Sequence, residues 1–519
     1  MSTTYGLHRA VLLNRNGVAI RFEDRRRTFA ELADRVARFA GALQALGVGK
    51  CDRVAVLSLN QDRYLEFYLG VAWAGAVIVP LNIRWSAFEN EDALRDSRPK
   101  LLIVDAAFAA IGSALTQKLG SFKLIYADDA PAALPADALD YEAILADSAP
   151  IPDADAAETD LAGIFYTGGT TGRSKGVMLS HRNLMSNARN MAAEVGPVED
   201  SCYLHAAPMF HLADAGVSYL QFLIGGAHAV IRMFTPENVA QAIQKYRATE
   251  VLLVPTMIQM FVDFPDLQSF DLSSLRRIVY GASPISEAVL DRAIARLPNV
   301  EFVQAYGMTE LSPAATYLPW KDHIGEGRAK RRHRSGGRPV MGVEVRVVDP
   351  SDSPLPSRAV GEIVARGDIV MMGYWERPEE TRKAVVNGWM HTGDGGYMDE
   401  DGYVYVVDRI KDMIISGGEN IYSAEVENCI AQHPAVALCA VIGIPHEIWG
   451  ETVHAVVMRK PTASVTGDDI IAFCKDRIAH YKCPRSVQVQ DEMLPLSGAG
   501  KILKRELRKP FWEEQRRTG

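Results

Sequence analysis

Apolar and polar positions along the first hundred residues repeat with the periods of helices and buried strands. Thr28 and Glu31 have the spacing of a capping box, and apolar residues then recur at helical spacing. The apolar runs at residues 54–57 and 77–80 indicate buried strands, with a helix around residues 64–73 between them. Strand–helix–strand units of this kind predict parallel sheets that carry helices on both faces.

The same succession of strand and turn recurs in the middle of the chain. The predicted strands that end in a turn cover residues 251–255, 277–281 and 302–307. Open α/β sheets bind ligands beyond the carboxyl ends of their strands. Gly281, Ala282 and the segment 306–310 are therefore expected to lie together at one crevice.

The pattern changes towards the end of the chain. Residues 391–410 are rich in glycine and aspartate and contain an alternating run, which indicates a hairpin. After Lys411 the apolar runs become short and predict a small α+β unit. We therefore predict an α/β protein whose large N-terminal domain of parallel-rich sheets, flanked by helices, covers residues 1–408. A small α+β C-terminal domain is predicted over residues 409–519.

Charge and composition exclude several classes of protein. The 519 residues carry 56 lysines and arginines against 64 aspartates and glutamates, and this net charge of −8 argues against nucleic acid as a partner. No apolar run approaches the roughly 18 residues of a membrane span, and residues 14–16 interrupt the start that a signal peptide would need. The six cysteines have no CxxC spacing, which indicates neither a zinc site nor a disulfide scaffold. We expect a reduced, cytoplasmic protein; peripheral membrane contact and a homodimer are left open.

The most informative segment is the glycine-rich stretch at residues 166–177. Its glycines, threonines and serine leave backbone amides and hydroxyls open to an anion. A P-loop places Gly-Lys before Ser or Thr at the start of a helix, whereas here Lys175 precedes the last glycine and a strand-like run follows. We predict a phosphate-binding loop of a different kind, between two buried strands. Its candidate ligand residues are Thr167, Gly168, Gly169, Thr170, Thr171, Gly172 and Lys175.

Further motifs follow this loop in a fixed order along the chain. They are the segments 205–211, 306–310, 391–394, 408–412, 416–420 and 495–501. Together with the loop they resemble the signature motifs of the adenylate-forming superfamily, which comprises acyl-CoA synthetases, luciferases and peptide-synthetase adenylation domains. The resemblance is closest to fatty-acid or aryl acyl-CoA synthetases and extends over essentially the whole chain.

This resemblance implies an enzyme that uses ATP, Mg²⁺ and CoA. A carboxylic acid and Mg·ATP would give an acyl-adenylate and pyrophosphate, and the thiol of CoA would then displace AMP. The resemblance also implies that the C-terminal domain is a mobile lid that turns about a hinge near Lys411.

The resemblance assigns several residues to the nucleotide. Tyr306 would stack on adenine, Asp394 would bind the ribose hydroxyls, and Arg409 would lie on the ribose or phosphate side. The positions expected beside Tyr306 at the same crevice are Gly281, Ala282 and Gly307. Taken alone, Asp394 would be an ordinary turn aspartate.

Other motif residues are assigned to catalysis by the same resemblance. Glu310, with Thr167, would hold Mg²⁺, and Thr309 would bond the α-phosphate. Lys501 would be carried in by the lid to stabilise the charge that develops at the α-phosphate and the carboxylate. Its motif also resembles a site at which lysine acetylation silences members of the family. His211 would be a gate beside the acyl site, whereas in isolation it would be a buried core histidine.

Two glycines and a basic run complete the candidate residues. Gly417 and Gly418 would line the tunnel for the pantetheine arm of CoA next to the hinge residue Lys411, or else form a plain turn before a helix. The basic run at residues 330–334 is expected to be a solvated loop, with contact to an anionic partner as the alternative.

The identity of the acid is predicted from small and apolar residues that follow His211 and Glu310. An apolar pocket suits a medium- or long-chain fatty acid or an aryl carboxylate, and no arginine stands in those segments to bind a dicarboxylate. The orientation of Asp214 is left open. The alternatives are transfer to the thiol of a carrier protein, a luciferase-like oxidation after adenylation, and a nucleotide-binding module without catalysis.

Overall fold

The structure is a computed structural model of the chain. It describes residues 1–130, 133–167, 174–196, 200–416, 419–461, 463–498 and 500–518. Among these residues, no helix is both long and apolar enough to cross a lipid bilayer.

The first sheet has nine strands in the described part of the chain, and its central strands run parallel. In spatial order they are β16 (Arg338–Pro339), β15 (Thr316–Leu318), β14 (Glu301–Tyr306), β13 (Arg277–Gly281), β12 (Glu250–Leu252), β10 (Cys202–His205), β11 (Ala227–Val230), β1 (Val18–Phe22) and β2 (Arg25–Thr28). The antiparallel strands β2, β15 and β16 lie at its edges.

The second sheet has eight strands in the same described ranges and carries the ends of the glycine-rich loop. In spatial order they are β19 (Gly373–Tyr374), β9 (Lys175–Ser180), β8 (Leu161–Thr167), β4 (Val77–Pro80), β3 (Arg53–Leu57), β5 (Leu101–Val104), β6 (Lys123–Tyr126) and β7 (Ala138–Asp140). The loop therefore joins two paired antiparallel strands, β8 and β9, as its flanking apolar residues predicted.

A third sheet follows in sequence and is antiparallel. Its strands are β17 (Val343–Val348), β18 (Gly361–Gly367), β21 (Trp389–Met398), β20 (Val385–Val386) and β22 (Val404–Arg409). The predicted hairpin over residues 391–410 is the β21–β22 pair.

The last sheet belongs to the C-terminal part of the chain. Its strands are β24 (Glu419–Ile421), β23 (Ile414–Ser416), β26 (Gly450–Arg459), β25 (Val436–His446) and β27 (Ser486–Gln490). The described backbone passes from the third sheet to this one between Arg409 and Ile414.

Helices cover the sheets. They are α1 (Tyr5–Asn14), α2 (Phe29–Ala45), α3 (Asp62–Trp73), α4 (Ala87–Ser97), α5 (Ala109–Leu119), α6 (Tyr141–Asp147), α7 (His181–Val195), α8 (Leu212–Ile224), α9 (Pro236–Tyr246), α10 (Pro255–Val262), α11 (Glu287–Arg296), α12 (Gly325–Ala329), α13 (Pro378–Ala384), α14 (Ser423–Ile430), α15 (Gly467–Lys475) and α16 (Lys504–Thr518).

Local sequence signals explain where several elements begin and end. Thr28 and Glu31 form the predicted capping box, in which each side chain bonds the backbone N–H of the other residue. The strands β3 and β4 pair in parallel on either side of α3, which confirms the strand–helix–strand unit. The predicted strand at residues 251–255 ends earlier, at Leu252, because Pro255 occupies the first turn of α10.

The buried apolar residues form separate cores in the two parts of the chain. A large core extends from Leu7 to Val404 and joins the first three sheets. A smaller core, from Ile414 to Cys483, fills the space between the last sheet and the helices α14 and α15. The predicted fold class, α/β with a large N-terminal part and a small α+β C-terminal part, is confirmed.

Candidate active site

Two neighbouring parallel strands bring the predicted nucleotide residues to one edge of the first sheet. β13 ends at Gly281, which is the register partner of Ala305 on β14, and β14 ends at Tyr306. A Cβ atom at Gly281 would lie 2.3 Å from the carbonyl oxygen of Ala305, so the close strand pairing requires glycine there. Ala282 follows with φ of +67°, which turns the chain sharply away from the sheet.

The chain folds back on itself directly after Tyr306. A Cβ atom at Gly307 would lie 2.1 Å from the carbonyl oxygen of Pro313, so a side chain at this position is excluded. The resulting loop contains a short 3₁₀ turn, Thr309–Leu311, that carries Thr309 and Glu310 beyond the strand ends. The close backbone packing of this loop thus keeps the threonine and the carboxylate of the motif near the end of β14.

Tyr306, Asp394 and Arg409 form a hydrogen-bonded group. The Tyr306 hydroxyl donates to Asp394 Oδ2 over 2.9 Å, and Arg409 Nε lies 3.1 Å from Asp394 Oδ1. Asp394 and Arg409 are register partners on β21 and β22, which explains why they face each other. A carboxylate has about four lone-pair sites, so Asp394 can bind these two groups and still accept hydrogen bonds from a ligand.

Glu310 is buried beside a tyrosine that motif reading did not single out. Tyr374 donates its hydroxyl to Glu310 Oε1 over 2.9 Å. Burial raises the pKa of Glu310, although Tyr374, Arg409 and Lys175 act in the opposite direction. The site thus holds a carboxylate whose charge is only partly compensated.

Tyr374 reaches Glu310 because its strand, β19, pairs with β9, the strand that carries Lys175. The Lys175 ammonium lies 4.9 Å from the centre of the Tyr374 ring and 2.5 Å from Glu380 Oε2 on α13. One tyrosine therefore contacts both the lysine that ends the glycine-rich loop and the acid of the Tyr-Gly-x-Thr-Glu motif. Thr167, at the other end of the loop, is the register partner of Lys175.

The remaining loop residues, Gly168, Gly169, Thr170, Thr171 and Gly172, lie outside the described residues, as do Gly417 and Gly418. The strands on either side of Gly417 and Gly418, β23 and β24, pair in antiparallel orientation.

The donor chemistry at Glu310 fits Mg²⁺. Within the described ranges, no group of three or more histidine, cysteine, aspartate or glutamate side chains could hold a metal ion. Mg²⁺ does not need such a cage, because it usually keeps several waters and binds one or two carboxylates together with substrate phosphates. A buried carboxylate with a raised pKa is the kind of group that a bound cation stabilises in its charged form.

Lys501 lies in a tight turn of the C-terminal part and comes close to the Asp394–Arg409 pair. The Ser497 N–H donates to the Lys501 carbonyl over 2.6 Å, and the Lys501 N–H donates to Ser497 Oγ over 3.1 Å. Burial and the charge of Arg409 lower the pKa of Lys501 to about 8, against the opposing effect of Asp394 and Asp412. The structure therefore brings this C-terminal lysine close to Asp394 and Arg409, two of the predicted nucleotide residues.

His211 caps helix α8. Its Nδ1 accepts the N–H of Ala213 over 3.2 Å, and burial lowers its pKa to about 4, so the imidazole is neutral at pH 7. A Cβ atom at Gly216 of the same helix would lie 3.2 Å from Pro313 Cδ, so α8 packs closely against the segment that follows Glu310. The two small-residue segments singled out in the sequence are thus neighbours.

Asp214 is bonded to two side chains of β10. It is fully buried, accepts the Tyr203 hydroxyl over 2.9 Å, and its Oδ2 lies 2.6 Å from His205 Nδ1. His205 Nε2 in turn lies 2.9 Å from His228 Nδ1. Both carboxylate oxygens of Asp214 are therefore engaged inside the first sheet, which answers the question of its orientation.

The hinge region is held by the last helix. Lys411 lies in the turn after β22, and Arg508 of α16 donates to its carbonyl oxygen over 3.1 Å while pairing with Asp412 over 3.1 Å. Asp408 accepts the N–H and the hydroxyl of Ser423, each over 2.6 Å. The predicted hinge is thus bonded to both α14 and α16.

The basic run at residues 330–334 is largely neutralised within the protein. Arg332 pairs with Asp322 and Asp401 and lies 4.6 Å from the centre of the Tyr403 ring. Arg334 lies 2.5 Å from Glu287. These ion pairs disfavour a role for the run in binding an external anion.

Sequence reasoning missed Tyr374, Glu380, Arg84 and Thr256, all of which contact predicted site residues or the Lys501 turn. Two of them carried a usable signal. Arg84 and Thr256 follow the carboxyl ends of β4 and β12, where ligands of α/β sheets bind. Tyr374 and Glu380 carried none, because only the β19–β9 pairing brings their segment to Lys175.

Comparisons with known proteins agree with this geometry. The family model for AMP-binding enzymes matches residues 7–375, and that for the C-terminal domain of AMP-binding enzymes matches residues 425–501. The chain is 41% identical over 508 residues to a feruloyl-CoA synthase of an Amycolatopsis species, and this match covers 97% of this chain and 98% of that protein.

A second relative and a solved structure extend the comparison. The chain is 36% identical to the fatty acid–[acyl-carrier-protein] ligase ScoC of Streptomyces coeruleorubidus, with 96% of this chain and 94% of that protein covered. ATP-bound MatB from Rhodopseudomonas palustris superimposes with a TM-score of 0.87 at 29% identity, covering 98% of this chain and 99% of that one.

Proposed function

The chain belongs to the AMP-binding enzyme family, and we propose that it is an ATP-dependent acid–thiol ligase, an AMP-forming acyl-CoA synthetase. It joins a carboxylic acid to ATP to form an acyl-adenylate and pyrophosphate. The thiol of CoA then attacks the acyl carbon, and AMP leaves as the acyl-CoA thioester forms.

One observation carries this proposal. The turn that carries Lys501 is bonded to the N-terminal part through Arg84 and Thr256, and Lys501 lies close enough to Asp394 and Arg409 for their charges to act on its pKa together with burial. This arrangement would place a positively charged ammonium group where two anions, the carboxylate and the α-phosphate, must approach each other. The family match and the geometry therefore support the same chemistry.

In the first half-reaction the residues of the chain orient the nucleotide. Tyr306 is held by Asp394 and offers its ring to adenine, and Asp394 uses its remaining lone pairs for the ribose hydroxyls. Arg409, which is paired with Asp394, is assigned to the ribose or phosphate side. Gly281, Ala282 and Gly307 shape the wall beside Tyr306.

The same half-reaction requires compensation of charge along the phosphates. We assign Lys501 to the α-phosphate and the attacking carboxylate, with Thr309 as a neutral donor, and Lys175 with its loop to the departing pyrophosphate. In the structure Lys175 is paired with Glu380, so the incoming phosphates would replace one anionic partner by another. Mg²⁺ held by Glu310 and Thr167 would supply further positive charge at the phosphates when bound.

The second half-reaction is assigned to a movement of the C-terminal part. We propose that residues 409–519 form a lid on a body of residues 1–408, and that the lid turns at Lys411 and brings Gly417 and Gly418 to the pantetheine arm of CoA. The short connection between Arg409 and Ile414 supports this division. Acetylation of Lys501 would remove the charge that the first half-reaction needs, so we propose that it silences the enzyme.

The acid is proposed to be an aryl carboxylate or a medium- or long-chain fatty acid. The contact between Gly216 and Pro313 closes an apolar wall beside the site, and Asp214 is committed to Tyr203 and His205. His211 is neutral and would face the acyl group without attracting a second carboxylate. The names of the feruloyl-CoA and fatty-acid relatives support both acid classes.

A carrier-protein thiol is the second candidate acceptor, because ScoC is named for that reaction. The test is to incubate the enzyme with ATP, Mg²⁺ and a panel of aryl, fatty and dicarboxylic acids, with either CoA or a phosphopantetheinylated carrier protein. We expect AMP and acyl-CoA from one aryl or fatty acid class. Acid-dependent pyrophosphate exchange with thioester formed only on the carrier protein would replace CoA as the acceptor, and no exchange with any acid would overturn the proposal.

A further inference from the structure

The turn that carries Lys501 is held against the N-terminal part by three neighbouring groups. Arg84 Nη1 donates to the carbonyl oxygen of Ser497 over 2.8 Å, and Thr256 Oγ1 donates to the carbonyl oxygen of Gly500 over 3.1 Å. Gly498 lies against Asn82, so that an added Cβ atom would come within 2.5 Å of the Asn82 amide oxygen. Side chains of the N-terminal part thus contact the turn at Ser497, Gly498 and Gly500.

These contacts hold the backbone next to Lys501, the proposed charge-stabilising residue. Ser497 and Gly500 are the residues whose backbone sets the turn, and Gly500 adopts φ of +79° immediately before Lys501. A hydrogen bond to the Gly500 carbonyl fixes the peptide plane from which Lys501 starts. The position of the lysine therefore depends on Thr256 and Arg84, although neither residue has to contact substrate.

The C-terminal part does not need these bonds for its own fold. Its core lies between the last sheet, α14 and α15, and the turn is closed internally by the bonds between Ser497 and Lys501. Arg84 lies in the loop after β4, and Thr256 lies in the first turn of α10, which follows β12 of a different sheet. Their common property is that they converge on one turn of the other part of the chain.

We propose that Arg84, Thr256 and Asn82 form a clamp of positioning residues that holds the Lys501 turn for adenylation and has no part in thioester formation. This inference rests on the proposed function. It adds that the first half-reaction depends on residues of the N-terminal part that recognise the backbone of the turn, and that the second does not depend on them.

The clamp is tested by measuring the two half-reactions separately. The first is acid-dependent exchange of pyrophosphate into ATP, and the second is thioester formation from supplied acyl-adenylate and CoA. For Thr256→Val and for Arg84→Ala we expect exchange to fall about 3- to 10-fold each, since one hydrogen bond is lost in each variant. The rate of thioester formation should stay within about twofold of the unaltered enzyme.

Matched controls remove bonds of the same kind elsewhere. Thr116 donates its hydroxyl to the carbonyl oxygen of Gly112 over 2.9 Å, and Arg38 donates to the carbonyl oxygen of Ser148 over 3.0 Å. Thr116→Val and Arg38→Ala should leave both half-reactions unchanged. Arg84→Lys, which keeps a donor, should recover part of the exchange that Arg84→Ala loses.

A steric variant tests the third contact. Gly498→Ala should lower exchange because the new methyl group meets Asn82, and adding Asn82→Ala should restore part of that loss. Such a rescue is expected only if the turn docks on Asn82 during adenylation.

Two results would overturn the clamp. The first is an equal loss in both half-reactions, which would show that these residues only support the fold. The second is undiminished exchange in the Arg84→Ala, Thr256→Val double variant. Failure of the proposed function is a separate outcome, because it would appear as absence of exchange in the unaltered enzyme.

Discussion

Two groups of ionisable side chains in this protein have pKa values shifted towards opposite protonation states. The first group lies among helices α2, α3 and α6, where Arg35 and Arg63 are bonded to Glu66, Glu142 and Asp129. Burial alone would raise the pKa of Glu142, but the hydrogen bonds and charges of Arg35 and Arg63 outweigh it and lower the value to about 2. In this helix network the ionised form is stabilised.

The second group is the candidate active site, where burial prevails. The pKa of Glu310 is raised and that of Lys501 is lowered to about 8, so each side chain is shifted towards its neutral form. Glu310 has a tyrosine hydroxyl, and no arginine, as its hydrogen-bond partner in the described structure. The charges of the site are therefore left with less compensation than those of the helix network.

The contrast indicates what each group is built for. A network in which every charge meets its opposite stabilises the fold and has no capacity left for a ligand. A site with incompletely compensated charges is stabilised when anions and a cation bind, as perturbed ionisable groups at functional sites generally suggest. Substitutions in the two groups should accordingly affect different observables.

The largest effect is expected from breaking the helix network. The Glu66 side chain is fully buried. Its carboxylate accepts hydrogen bonds from Arg35 Nε over 2.7 Å, from Arg35 Nη2 over 3.0 Å and from the Tyr141 hydroxyl over 2.8 Å. Glu66→Ala leaves a buried guanidinium with one partner fewer and should lower the free energy of unfolding by about 3–5 kcal/mol. Calorimetry should show a lower melting temperature. Pyrophosphate exchange, measured at low temperature and per folded enzyme, should be unchanged.

The control for this prediction is Asp34→Ala. Asp34 and Arg38 form an exposed pair on α2, and such pairs contribute only about 0–1 kcal/mol. If Glu66→Ala lowered exchange without changing the melting temperature, the helix network would belong to the function and the comparison would fail.

A large effect on rate is expected at Lys501. Lys501→Ala should lower acid-dependent pyrophosphate exchange about 10²- to 10³-fold, as loss of a donor to developing negative charge does elsewhere. Thioester formation from supplied acyl-adenylate should be retained, and so should the melting temperature. The control is Lys509→Ala, which removes an exposed lysine from the same basic tail. Equal losses in both half-reactions of a folded Lys501→Ala variant would contradict the assigned role.

Features that depend on neighbouring residues could be predicted from the sequence better than features that depend on tertiary contacts. The capping box at Thr28 and the strand 277–281 have the predicted positions because they follow from neighbouring residues. Tyr306 and Asp394, which the resemblance assigns to the nucleotide, are hydrogen-bonded to each other in the structure. In contrast, the predicted strand at 251–255 overlooked that Pro255 starts a helix.

Contacts between distant segments could not be predicted in this way. Tyr374 and Glu310 are bonded only because β19 pairs with β9, and no periodicity in the sequence records that pairing. Asp214 lies in a segment expected to face the acyl group, yet the partners that turn it inwards stand on β10. Side-chain direction of this kind is decided by tertiary packing.

A smaller effect should appear in the pH profile. With a pKa of about 8, Lys501 is protonated below that pH in the free enzyme. The kcat/KM for ATP in pyrophosphate exchange should therefore fall about tenfold for each pH unit above 8. Lys501→Arg stays charged and should lose this alkaline limb, at a lower absolute rate.

The pH dependence of stability has the opposite sign and separates the two effects. The pKa of Lys501 lies below its ordinary value of 10.5, so between pH 8 and 10.5 the unfolded chain binds more protons than the folded one. The contribution of this residue to stability therefore rises with pH over the range in which activity falls. An alkaline limb that Lys501→Arg retained would assign the limb to another group.

The smallest effect is expected at Tyr374, the neutral residue between two charges of the site. Tyr374→Phe removes the hydrogen bond to Glu310 and keeps the ring over Lys175, so pyrophosphate exchange should fall only about 2- to 10-fold. Tyr374→Leu removes the ring as well and should raise the KM for ATP further. Tyr126→Phe, which deletes a hydroxyl bonded to the Ala130 carbonyl oxygen, is the matched control and should change neither parameter. If Tyr374→Phe were as active as the unaltered enzyme, the role of Glu310 would not depend on the Tyr374 hydroxyl. The charge of Glu310 would then be compensated by other groups, as the charges of the helix network are.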